Sequence, residues 1–208
     1  MRRLLLILTL LATPALAQSN LPLLYTVTGV AANDTLNVRD SPNAGAPDVG
    51  DLQPNATVEI MRLSADGKWG LVETNDAVGW VSMRFMALTP NTTGNGTDLP
   101  SGLPRHITCN GAEPFWELTL DNGNNFSVGS DGPNDWEVRS FPVLGIDKGM
   151  NTAVDTYAFS SPPYTAVLKK EACFSDFTGL NHGWSMALVF RESQSFYVMS
   201  GCCTATLN

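Results

Sequence analysis

Few side chains in this chain are able to do chemistry, and their spacing narrows what they can do. The four cysteines, Cys109, Cys173, Cys202 and Cys203, all lie in the second half. Cys202 and Cys203 are adjacent, which is not the C-x-x-C spacing of a zinc site, so no metal is expected. The two histidines, His106 and His182, stand far apart. A Cys173–His182 nucleophile pair needs a free thiol, which a bridged cysteine lacks. No G-x-S-x-G, H-E-x-x-H or P-loop pattern occurs. Glu113, Asp121, Asp131, Asp135 and Asp176 are the candidates for a carboxylate pair of the glycosidase type. Asp131-Gly-Pro-Asn-Asp135 is oxygen-rich but completes no calcium motif. Glu113 stands between Cys109 and Pro114-Phe115-Trp116. A buried carboxylate there requires a partner, so it reads first as a structural anchor and second as a ligand contact. No residue is assigned a catalytic role, no cofactor is implied, and the expectation is that the chain is not an enzyme.

The compartment follows from the N-terminus and the cysteines. Arg2 and Arg3 precede an apolar run from Leu4, and Ala15-Leu16-Ala17 supplies a small-x-small cleavage pattern. Residues 1–17 are therefore read as a signal peptide, and the run is too short for a membrane anchor. The 208-residue chain carries a net charge of -8. Removing the leader takes two arginines and no acids, so the mature chain is more acidic still. That excludes generic binding of nucleic acid or anionic membrane, both polyanions. An even cysteine count in an exported chain points to disulfides and to a periplasmic or secreted location.

Hydrophobic residues make 43% of the chain, enough for a core, and Gly 18 and Pro 13 make turns frequent. Residues 25–87 alternate short β-branched runs with turn signals. Tyr25–Val30 opens, Leu36-Asn-Val-Arg39 alternates, Thr57–Leu63 is a strand, Asp66-Gly67 marks a hairpin, and Trp69–Glu73 and Gly79–Ser82 follow. Leu36, Val38, Val58, Ile60 and Val81 are the expected core, with Trp80 as its large aromatic. Leu36-Asn37-Val38-Arg39 with Pro42, then Gly67, Trp69 and Val72, then Gly79-Trp80-Val81 resembles the bacterial SH3-like (SH3b) family. The resemblance implies a small, partly open β-barrel used as a binding module, whose relatives include binders of peptidoglycan and its stem peptides. Arg39 and Trp69 are the tentative ligand contacts, since an arginine beside an aromatic suits a peptide carboxylate.

Residues 88–105 are rich in Gly, Pro, Thr and Asn and read as a flexible linker. Residues 106–208 are strand-like again, with short runs suited to an antiparallel meander or barrel. Cys109, Gly111 and Glu113 to Trp116, then Cys173 with Asp176, then Gly201-Cys202-Cys203 make this half similar to a group of uncharacterised exported bacterial domains. That group implies architecture and no activity. Cys202 and Cys203 are too close to bridge each other comfortably, and in a strand they face opposite ways. One is expected to meet Cys109 and the other Cys173, with the pairing open.

The reading is therefore an all-β, two-domain envelope protein: an SH3-like barrel of residues 25–87 and a disulfide-stabilised β domain of residues 106–208. It is expected to bind without catalysis, with the SH3-like module contacting peptidoglycan or a cell-wall peptide. Two alternatives remain: an inhibitor or partner of another envelope protein acting through the C-terminal half, or a carboxylate-based wall glycan hydrolase.

Overall fold

The computed structural model describes residues 21–206 apart from 75–76, 90–99, 101, 133–134, 177 and 193. Residues 1–17, read above as a signal peptide, lie outside the described residues. Among them the chain is nearly all β, and no helix is long and apolar enough to cross a membrane.

The first half contains β1 (Leu23–Val27), β2 (Leu36–Arg39), β3 (Asp48–Leu52), β4 (Thr57–Ile60), β5 (Arg62–Leu63), β6 (Trp69–Glu73), β7 (Val78–Ser82), a 3₁₀ turn at Met83–Phe85 and β8 (Met86–Leu88). They form two small sheets, ordered β3-β2-β7-β6-β5 and β4-β1-β8. The run read as one strand over Thr57–Leu63 is broken at Met61. Its first part pairs with β1 and its second with β6. A strand that bends and changes sheet makes the corner of such a barrel. Val27, Leu36, Val38, Leu52, Ile60, Val72, Val81 and Met86 fill the interior. Val58 is only half-buried. Trp80 is not a core residue. Alternation along β7 sends Gly79 and Val81 inward, which leaves Trp80 half-buried outside, with the Arg62 guanidinium 5.2 Å from its ring centre.

The second half contains β9 (His106–Gly111), β10 (Trp116–Asp121), β11 (Asn125–Gly132), β12 (Asp135–Pro142), β13 (Gly145–Lys148), β14 (Thr156–Ser161), β15 (Tyr164–Lys169), β16 (Cys173–Ser175), β17 (Leu180–His182), β18 (Trp184–Glu192) and β19 (Ser195–Thr206). Nine of these make one antiparallel sheet in the order β12-β11-β10-β9-β19-β18-β15-β14-β13. Its two edge strands, β12 and β13, are consecutive in the chain, with only Val143 and Leu144 between them. So short a link forces the sheet to curl until its edges meet. The Val143 N–H donates to Asn124 O at 2.7 Å, and the Leu144 N–H to Ser160 O at 2.9 Å. The enclosed space is filled. Phe126 packs against Phe141, Phe159 and Tyr164 with ring centres 5.5–5.7 Å apart, beside buried Trp116, Tyr157 and Trp184. Gly111 and Gly201 lie under Trp116. A side-chain carbon at Gly111 would strike the indole and Ser200 O, and one at Gly201 would strike Asn110 O.

Both expected bridges form. Cys109 joins Cys203 inside the curled sheet, and Cys173 joins Cys202 on its outer face. The second bridge pins the β16–β17 hairpin over β19. The stretch read as a linker is ordered at both ends: Leu88 pairs with Tyr25, and Leu103 and Pro104 are buried. Residues 90–99 and 101 of it lie outside the described residues.

Candidate functional site

The two tentative contacts of the first half, Arg39 and Trp69, line one groove of about 580 Å³. Three pieces of chain build it: the end of β2, the β5–β6 turn, and the 3₁₀ turn after β7. The β5–β6 turn is closed by its own polar groups. Ser64 Oγ donates to Asp66 Oδ1 at 2.7 Å, the Lys68 N–H donates to the same oxygen at 3.1 Å, and the Trp69 N–H donates to Ser64 Oγ at 3.1 Å. The Ser64 hydroxyl holds the Asp66 carboxyl below the usual carboxylate range. Gly67 takes φ +71, the left-handed conformation a tight hairpin needs there.

Arg39 leaves β2 with its guanidinium anchored at one end. Nη1 donates to Ala46 O at 3.2 Å and stands 3.7 Å from Asp48 Oδ2. The Asn37 amide, more than Arg39 itself, keeps Asp48 ionised by lowering its pKa. Across the groove, Arg84 lies over the Phe85 ring at 4.5 Å. Lys68 and Arg84 are exposed. Arg39, Lys68, Trp69, Arg84 and Phe85 therefore share one surface, and no carboxylate is among its lining residues. In a chain with net charge -8 this is a local reversal of sign. Lys68, Arg84 and Phe85 were missed in the sequence. The signal was there: Lys68 precedes Trp69 in the hairpin, and Arg84-Phe85 directly follows Gly-Trp-Val-Ser-Met.

Glu113 does not join that site. It lies exposed on the β9–β10 turn, at φ +61 before a cis proline, so it is not a buried anchor. The turn projects out of the sheet, which removes the need for a partner. Of the other candidate carboxylates, Asp121 Oδ1 sits 2.8 Å from His106 Nδ1, and Asp176 is exposed beside β16. The side chains of Asp131 and Asp135 lie outside the described residues. Among the described residues no His, Cys, Asp and Glu come together as a metal-ligand set.

Two acids unremarked in the sequence are drawn away from solvent, Glu59 buried and Glu73 half-buried. Strands β4 and β6 lie against β17 and β19 of the second half. Glu59 of β4 is enclosed there, and Trp184 Nε1–H donates to its Oε1 at 2.8 Å. Burial pushes Glu59 up to about 8, against the Trp184 indole, the Ala205 N–H and Lys170, which favour the anion. Glu73 of β6 places Oε2 3.1 Å from Nδ1 of buried His182, which also lies 2.8 Å from Thr204 Oγ1. Burial raises Glu73 to about 7 and lowers His182. Lys170, 5.5 Å from the Trp184 ring, is lowered by burial too. This cluster is the seam between the halves.

Residues 34–87 match the family model described as the bacterial SH3 domain, which covers the strands that build the basic groove. No curated protein and no solved structure matches the chain.

Proposed function

We propose that this is an exported, non-enzymatic binding protein of the bacterial envelope, whose first half reads a carboxylate-bearing peptide of the cell wall. One observation carries the reading: Arg39, Lys68 and Arg84 line a groove with Trp69 and Phe85 and without a carboxylate. A guanidinium takes a carboxylate through two parallel hydrogen bonds, and the flanking rings cover the aliphatic part of a short peptide. Bacterial SH3 domains are commonly wall binders, and stem peptides carry free carboxylates. The overall negative charge repels anionic wall polymers, so affinity rests on these local contacts. The two disulfides and the leader at residues 1–17 support export.

The test is co-sedimentation of the mature chain with purified peptidoglycan sacculi at low and physiological salt. Wild type is expected in the pellet at both. The Arg39→Ala/Trp69→Ala variant is expected in the supernatant. A wild type that stays in solution, or a double variant that pellets as well as wild type, defeats the reading.

A second reading, a partner protein held by the C-terminal half, has its own observation. Strand β19 pairs with β18 from Ser195 to Cys203 but with β9 only from Cys202 onward. Its first part exposes Phe196, Tyr197 and Val198 and carries no charge, unlike a protected edge strand. Val198→Lys is expected to abolish capture of an envelope protein without changing sedimentation with sacculi. Capture that survives the lysine removes this reading.

A further inference from the structure

The three short segments singled out in the second half converge on one place. Asn110-Gly111-Ala112, Cys173 to Asp176 and Ser200-Gly201-Cys202 all line a groove of about 380 Å³ on the outer face of the large sheet. The disulfides account for the cysteines; they do not account for the hollow beside them. We propose that this groove binds a neutral sugar unit of a glycan, a site separate from the basic groove of the first half and argued without it.

The floor is a row of facing residues fixed by strand register: Asn110 opposite Cys202, Cys202 opposite Ser185, Ser185 opposite Lys169. The next row, Ser200, Ala187 and Val167, is small or apolar, so the surface dips. The wall is the β16–β17 hairpin, held above the dip by the Cys173–Cys202 bridge. Its turn is closed by the Gly179 N–H donating to Ser175 O at 2.8 Å. A wall tied covalently to the floor is pre-organised, which lowers the ordering cost of binding.

The chemistry of the lining selects the ligand. Phe174 is exposed on the wall, a ring that water covers poorly and the C–H face of a sugar covers well. Around it stand short polar groups: Asn110 and Ser200, which both donate and accept, and the Asp176 carboxylate, which accepts. The Asn110 Oδ1 lies buried at the floor with no hydrogen-bond partner, and a hydroxyl entering the groove would supply one. Ser185 Oγ already donates to Glu171 Oε1 at 2.6 Å, so its oxygen faces the groove as an acceptor. Charge is balanced within the lining, where Lys169 is the one cation and Asp176 the one anion. A groove with one cation, one anion, several hydroxyls and one open ring suits an uncharged polyol ring rather than a carboxylate or an ammonium. Its size falls in the ordinary range of small-ligand sites, about 300–1,000 Å³.

Saturation-transfer NMR on the mature chain tests this, with N-acetylglucosamine trimer, cellotriose and maltotriose as probes. At least one trisaccharide is expected to take up saturation at its ring C–H protons. Phe174→Ala is expected to weaken that binding about tenfold, the size of one lost aromatic contact. Phe174 is exposed, so its loss leaves the core intact, and far-UV circular dichroism confirms the fold of the variant. Asn110→Ala is expected to weaken binding too, and Arg39→Ala/Trp69→Ala to leave it unchanged. The proposal is overturned if none of the three sugars takes up saturation, or if both second-half variants bind as wild type does. It is equally overturned if only the Arg39/Trp69 variant loses the signal, which moves the sugar to the first groove. Sacculi carry glycan as well as peptide, so the sedimentation test of Arg39→Ala/Trp69→Ala is repeated in the Phe174→Ala background, where this groove is disabled and any remaining pelleting belongs to the first half.

Discussion

The two halves of the chain hold themselves together by different means. Among the described residues the core cluster of the first half gathers eight buried apolar side chains, none of them aromatic, and that half has no disulfide. The core cluster of the second gathers sixteen, including Trp116, Phe126, Tyr157, Phe159 and Trp184, and that half is crossed by two disulfides. Small domains bury a smaller share of their surface and are correspondingly marginal. The difference teaches where the first half finds its support. It sets β4 and β6 against the second half and hands Glu59 to the indole of Trp184, a residue of the larger core. The stiff half is thus both a fold of its own and a wall for the weak one.

Removing the bridges is the strongest way to break this contrast. Cys109–Cys203 closes a separation of 94 residues and Cys173–Cys202 one of 29. Chain-entropy reasoning gives about 4–5 kcal/mol for the first and about 3–4 kcal/mol for the second. Cys109→Ser/Cys203→Ser is expected to lower the urea midpoint by far more than any change in the first half. If reduction leaves the midpoint unmoved, the second half does not depend on its bridges, and the contrast disappears.

The next largest effect lies at the seam. Trp184→Phe keeps an aromatic ring, smaller than the indole, and deletes the N–H that Glu59 accepts. A buried carboxyl left without that donor is expected to cost about 1–3 kcal/mol. A double-mutant cycle with Glu59→Gln measures the coupling, since contacts across one seam do not add. Zero coupling would falsify the claim that the halves support each other there.

How much of this was visible in advance depends on where a residue's neighbours come from. The strands of the first half were legible because alternation and the Asp66-Gly67 turn are local signals, and Arg39 and Trp69 meet because the end of β2, the β5–β6 turn and the 3₁₀ turn line one groove. That Cys202 and Cys203 divide between Cys109 and Cys173 followed from adjacent cysteines pointing to opposite faces, but which takes which did not. Trp80 was misread because size alone suggested core, while its neighbours Gly79 and Val81 set the inward positions. Glu113 was misread because flanking apolar residues say nothing about a turn that leaves the sheet. Glu59 and Glu73 gave no signal at all. Glu59 sits between Val58 and Ile60 on the face that alternation assigns to solvent. Only docking of a segment more than a hundred residues away buries it.

That burial makes the seam sensitive to pH, with a definite sign. Glu59 and Glu73 are raised to about 8 and about 7 from an ordinary 4.5, so each binds its proton more tightly folded than unfolded. Their contribution is full below about pH 4.5 and is lost as the pH rises through about 7 and then about 8. His182 works in the opposite sense. Its value is lowered from 6.5, so its contribution is full above 6.5 and is lost as the pH falls through the folded value. Lys170, which also faces Glu59, is lowered by burial from 10.5. Between about pH 6.5 and about pH 8 the two carboxyls dominate, and the urea midpoint is expected to fall. Glu59→Gln cannot ionise, so it is expected to flatten the upper part of that decline. A wild type whose midpoint rises over this window, or a glutamine variant with the same slope, removes Glu59 from the explanation.

The smallest effect on stability should come from the basic groove, and that smallness is itself diagnostic. Lys68 is 77% exposed and stands 3.5 Å from Asp66, and Arg84 lies on Phe85 from the solvent side. Exposed ion pairs and exposed cation–ring contacts contribute little to folding. Lys68→Ala and Arg84→Ala are therefore expected to leave the unfolding midpoint almost where it was. Their effect should appear in sedimentation with sacculi, as weaker binding that responds less to salt, because the lost groups are the screened ones. A side chain retained for the fold would show the reverse: a lower midpoint and unchanged binding. A midpoint left in place together with weakened sedimentation would assign Lys68 and Arg84 to what they touch outside the chain rather than to the fold.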